Sequence, residues 1–137
     1  MKRLNQNESE NVEFWMKDDI LFCKFNQTTC HISVDTAKIY ILKIKKLTKG
    51  QPLPFLIDAC DFTGNFSPDA AKTLAKSIII KTITLHAFVV NTLHSKLLVA
   101  SYNRIYLKNF NVQIFESFDD ALAACIESKN KLYAQHD

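Results

Sequence analysis

The chain has 137 residues, 47% hydrophobic and 23% charged, with only two glycines and three prolines. That length and balance suit one globular domain with a core of its own, and so few turn-formers argue against a many-stranded sandwich or barrel. The formal charge of +3 is spread among acidic residues rather than gathered into a basic stripe with interleaved aromatics, so nucleic acid is not an expected partner.

Residues 1–10, MKRLNQNESE, are polar and read as a loose arm. Residues 11–133 are expected to form the domain and 134–137 a short tail. No apolar run approaches the roughly 20 residues that cross a bilayer, and none behind the first ten residues suits export. A cytoplasmic protein without a transmembrane segment is expected. Cys23, Cys30, Cys60 and Cys125 form no Cys-x-x-Cys pair, and in that compartment they read as reduced thiols.

Two short aromatic and branched runs, residues 12–17 and 20–25, flank Asp18-Asp19 and predict a β-hairpin. Residues 26–32 read as a hydroxyl-rich loop. Ser33 is placed to cap a helix with Asp35 in its first turn. Val34, Ala37, Ile41, Ile44 and Thr48 recur at spacings of three and four, with Tyr40 and Leu47 widening the stripe, and Gly50 is the expected left-handed stop. Lys38, Lys43, Lys45, Lys46 and Lys49 fall on this helix. Most of them share one face, which reads as a solvated surface opposite the apolar one.

Residues 53–59 show no alternation and predict a strand buried on both faces. A second helix opens at Ser67 with Pro68 at its first position and Asp69 in its first turn. It is expected to run to about Lys81, with Ala71, Leu74, Ala75 and Ile78 inward. A strand over 83–90, a helix over 93–108 and a strand over 112–115 follow. A last helix opens at Ser117 and runs to about Lys131, with Ala121, Leu122, Cys125 and Ile126 inward. The order ββαβαβαβα predicts an α/β fold: a mixed, mostly parallel sheet with an N-terminal hairpin and helices packed against it.

Function in such folds gathers where a buried strand hands over to a helix start. Here that stretch is PFLIDACDFTGNFSPDAAKTLAK, residues 54–76. Asp58, Asp61, Thr63, Gly64, Asn65 and Asp69 are its candidate binding residues, on a rim expected to be hydrated and rich in hydrogen-bond donors.

The sequences HISVDTAKI, PFLIDACDFTG and VQIFESFDDALA, with the alanine-rich second helix, resemble the STAS family, which includes the bacterial anti-sigma factor antagonists. They are similar above all to STAS-like proteins of Bacteroidetes-type bacteria, grouped with the CRAL-TRIO lipid-binding domain. The resemblance covers about residues 12–130. It implies a non-enzymatic regulatory module that binds a protein partner, such as an anti-sigma-type regulator, or a second copy of itself through residues 61–69. It also implies Ser67 as a phospho-acceptor. Phe66 stands where the family usually has an acidic residue, and Pro68 follows the serine. As a plain helix cap, Ser67 needs no further role.

Other constellations are weaker. Asp58 and Asp61 flank Cys60 without the spacing of a calcium loop, and Asp58 suits local turn hydrogen bonds. Cys30-His31 lacks the partner spacing of a zinc site, so neither a metal nor another cofactor is expected. Cys60 and His86 would make a nucleophilic pair only if brought together with an orienting group. His86 reads as a strand residue whose ring a neighbour satisfies, and His94 as an exposed helix start. Trp15, Phe22, Phe25, Phe55, Phe88 and Phe115 read as core. Leu97, Leu98, Tyr102, Ile105, Tyr106 and Leu107 give the third helix more apolar surface than one stripe requires. This allows an apolar small-molecule or lipid carrier with that helix as a lid, or else a dimer interface or deep core.

Overall fold

The computed structural model describes residues 12–26, 31–60 and 62–136; the N-terminal arm, Cys30 and Asp61 lie outside them. Strands β1 (Val12–Lys17) and β2 (Ile20–Phe25) form the predicted antiparallel hairpin, with Trp15 opposite Phe22. Asp18 and Asp19 both adopt positive φ, 53° and 61°, which matches a two-residue turn to the strand twist. The far end of the chain holds this turn. Lys129 Nζ donates to the Asp18 carbonyl at 3.0 Å, and the Tyr133 hydroxyl donates to the Asp19 carboxylate.

Helix α1 (Val34–Thr48) starts as its cap predicts, Ser33 Oγ accepting the Thr36 N–H at 3.2 Å. Its stop comes one residue earlier than expected. Lys49 is already left-handed at φ 55°, its N–H donating to the Lys45 carbonyl at 2.8 Å, and Gly50 follows at φ 77°.

Strand β4 (Leu53–Asp58) runs between β2 and β6 (Ile83–Val89) and is buried on both sides, Phe55 and Ile57 facing one layer and Leu56 the other. Pro54 has no N–H to offer a neighbour, and the ladder to β6 slips in register between Leu53 and Pro54.

The second predicted helix is two. Helix α2 (Pro68–Lys76) stops at Ser77, whose extended backbone re-aims the chain into α3 (Ile78–Lys81). An unbroken helix would put Ile80 in line with exposed Lys76. The break instead buries Ile79 and Ile80 and leaves Ile78 81% exposed rather than inward. After β6 (Ile83–Val89) come α4 (Leu93–Tyr106), β7 (Val112–Phe115) and α5 (Phe118–His136). The last helix outruns its expected end near Lys131. Ala121 and Cys125 make its buried stripe, while Ile126 is 41% exposed.

The main sheet has the order β1-β2-β4-β6-β7, antiparallel only at the hairpin. A second sheet joins β3 (His31–Ile32) to β5 (Asn65–Phe66), two parallel pieces within stretches read as loop; two residues are too few to show a period. Side chains from α1, α2, α3 and α4 pack on one face of the main sheet, and α5 covers the other. The fold is the predicted α/β one, and all four parallel strands point their C-terminal ends toward the same edge.

Candidate functional site

The strand-to-helix stretch is anchored more deeply than a hydrated rim. Phe62 is buried with its ring 4.7 Å from that of Phe25, Gly64 is buried, and Phe66 packs edge-on against Tyr102 at 5.2 Å. The backbone is tied down as well, Ser67 N–H donating to the Ile32 carbonyl at 3.1 Å. Thr63, Asn65 and Asp69 remain exposed. Asn65 is held by a hydrogen bond to His31 Nδ1. Asp58 Oδ1 accepts the Cys60 N–H at 3.1 Å, the turn-shaping role expected of it. Ser67 is half-buried and caps α2, its Oγ accepting the Ala70 N–H at 3.0 Å.

Beneath this stretch lies a feature at which the apolar surplus of α4 only hinted. A cavity of about 130 Å³ sits between the main sheet and the helices α1, α2 and α4. Phe55, Ile57 and Phe88 form its floor, Tyr40 and Ile44 one wall, Leu98, Val99 and Tyr102 another, and Phe62 and Phe66 close the end below the loop. The lining is almost wholly carbon. Of the α4 residues singled out as a lid, Leu98, Tyr102 and the following Leu107 face this space. Leu97 and Ile105 are exposed instead, on the side away from it.

A titratable ring sits among this lining. His86, on β6 opposite Phe55, is 3% exposed and lines the cavity. Its ring stacks on Phe110, centroids 5.4 Å apart and planes 16° from parallel. Its Nε2 has no hydrogen-bond partner among the described residues, so the expected satisfying neighbour covers the ring face and leaves that nitrogen unmet. Burial lowers the His86 pKa to about 4, because an imidazolium there would have neither water nor a carboxylate. Tyr102, also against the cavity, is pushed above the usual phenol range by burial and then by Tyr106.

The sheet separates the other pairing considered. Cys60 packs with the cluster under α5, whereas His86 points to the opposite face, so adjacent strands do not bring them together. The Cys125 thiol is pushed up to about 12 by burial under α5, which suits a core residue. Among the described residues no group of three or more His, Cys, Asp or Glu side chains could hold a metal ion, and no helix is long and apolar enough to cross a membrane. His94 is exposed at the start of α4, and Lys38, Lys45, Lys46 and Lys49 are exposed along α1 and its stop.

Sheet order, hairpin and helix placement give a STAS-like fold. In keeping with this, the crystal structure of an uncharacterized DUF3478-family protein with a SpoIIAA-like fold from Shewanella loihica PV-4 superposes with a TM-score of 0.57 at 17% identity, over 83% of this chain and 91% of that one. A family model described as a domain of unknown function, DUF7793, matches residues 14–123, and the chain belongs to that family. No curated protein matches it.

Proposed function

We propose that the domain is a non-enzymatic binding module and that its ligand is an apolar small molecule held between the sheet and α4. The observation that carries this reading is the cavity: a concave, carbon-lined space between one face of the sheet and the helices that cover it, the kind of site in which small apolar ligands are held. Packed interiors leave few voids larger than a water molecule, so a hole of this size, lined by aromatic rings from seven elements, costs stability unless something fills it. The full chain, purified without detergent, should show a small-molecule adduct by native mass spectrometry or a raised melting temperature with added ring-sized apolar compounds. A clean apo mass together with an unmoved melting temperature argues against the reading.

The regulatory reading stands second. It draws support from the SpoIIAA-like fold of the solved relative and from the exposed Thr63, Asn65 and Asp69 beside the capped Ser67. In it, residues 61–69 contact a protein partner, such as an anti-sigma-type regulator, or a second copy, and a phosphate on Ser67 would alter that contact. Pull-downs with wild type and Ser67→Asp test it. Equal recovery of the same proteins by both removes the switch.

A further inference from the structure

We propose that β1 is a docking edge for a second copy of this chain, two β1 strands pairing antiparallel about a two-fold axis at Trp15 so that the main sheets join into one. The proposal stands apart from the cavity and does not rest on it. β1 lies at one end of the main sheet, and among the described residues no strand pairs with its outer side. An open edge of six residues is a template for another strand.

The free backbone groups fit a copy of the same strand. Lys17 and Ile20 flank the two-residue turn, so they are the hydrogen-bonded pair that closes it. Bonded pairs alternate along an antiparallel ladder, which turns the amides of Glu13, Trp15 and Lys17 toward β2 and those of Phe14 and Met16 outward. With Trp15 opposite Trp15 of the second copy, Phe14 falls opposite Met16 and Met16 opposite Phe14. The outward groups of both residues then bond across the axis.

The charges fit the same register. Glu13 and Lys17 stand symmetrically about Trp15 on one face of β1, both exposed and neither in an ion pair among the described residues. In the paired strands each Glu13 meets Lys17 of the other copy, giving two opposite-charge contacts, whereas a parallel in-register pairing would set like against like. Across the sheet Glu13, Lys24 and Asp58 already alternate in sign, and Lys17 of the second copy continues the row. Edge charges repel strange strands; opposite signs placed symmetrically still admit a copy.

The side chains at the axis are prearranged. Phe14, Trp15 and Met16 are half-buried. Trp15 lies flat on Phe22, centroids 5.4 Å apart and planes 6° from parallel, and Phe14 packs edge-on against Tyr40 at 5.4 Å. Rings held this way lose little freedom when a strand covers their outer sides. The opposite edge, β7, has four residues, and Glu116 beside it is already paired with Lys96.

Sedimentation of the full chain over a concentration series should show a monomer–dimer equilibrium that about 0.5 M salt weakens. Glu13→Lys and Lys17→Glu should each raise the dimer dissociation constant about tenfold or more, because two opposite-charge contacts become two like-charge ones. Mixed in equal amounts, one variant carries lysine at both positions and the other glutamate at both, so a heterodimer about as tight as the wild-type dimer should form. That rescue also shows that both variants fold. A full chain that is monomeric at about 1 mM, a dimer that neither variant weakens, or weakening without rescue on mixing overturns the proposal. So does a dimer formed only after residues 1–10 are removed, which would make that arm the occupant of the edge.

Discussion

Replacing His86 by leucine should remove a specific acid sensitivity from the fold. The unfolded chain titrates this imidazole at its ordinary 6.5, whereas burial lowers it to about 4 in the folded protein. Above pH 6.5 both states are neutral there and the stability is intact. Between 6.5 and about 4 the unfolded state holds a proton that the folded state does not, so stability falls as pH falls. At about 1.4 kcal/mol per tenfold change in proton affinity, the whole window is worth about 3 kcal/mol, of which about 2 kcal/mol is lost between pH 7.5 and 5.0. The His, Asp and Glu residues elsewhere are common to both proteins and cancel in the comparison. Urea unfolding at the two pH values is the assay. Wild type should lose about 2 kcal/mol more than His86→Leu over that interval. Losses equal within about 0.5 kcal/mol would mean that the imidazole is charged or hydrated in the folded state, and the argument for a bare buried nitrogen would fail.

Three further outcomes follow from local geometry, each read by chemical denaturation at pH 7.5. Ser67→Ala removes the cap on α2 and should cost about 1 kcal/mol, while Ser67→Asp keeps a capping oxygen and should stay within a few tenths. Lys49→Gly relieves a left-handed non-glycine residue without touching its backbone bond to Lys45, and should stabilise by about 0.5–1 kcal/mol. Phe62→Ala deletes the buried ring that pins the loop to Phe25 and should cost about 3–5 kcal/mol.

Much of the fold was legible because its signals are local. The hairpin, the Ser33 and Ser67 caps, the doubly buried β4 and the alternation of strand with helix each lie within a dozen residues. The misses came where burial overrode local pattern. The isoleucine run at 78–80 has strong helical and strand tendencies alike, and the core settled it by breaking the helix at Ser77 so that Ile79 and Ile80 turn inward. The polar letters between Asp58 and Ser67 suggested an open rim, yet Phe62 and Phe66 fold under it and leave Thr63 and Asn65 as a thin polar layer. The surplus of apolar residues on α4 did point toward the cavity, although Leu97 and Ile105 turned out to face solvent.

Periodicity, caps and composition determined the strands, the helices and the α/β class, because each depends on neighbours along the chain. The cavity, its size and the burial of His86 Nε2 without a partner among the described residues were decided only in three dimensions. A void is whatever side chains from the strands of both sheets and from α1, α2, α3 and α4 fail to fill once packed together, and no stretch of sequence holds that remainder. His86 looks like an ordinary strand residue until Phe110 arrives from a distant loop to cover its face and none of the described residues meets its Nε2.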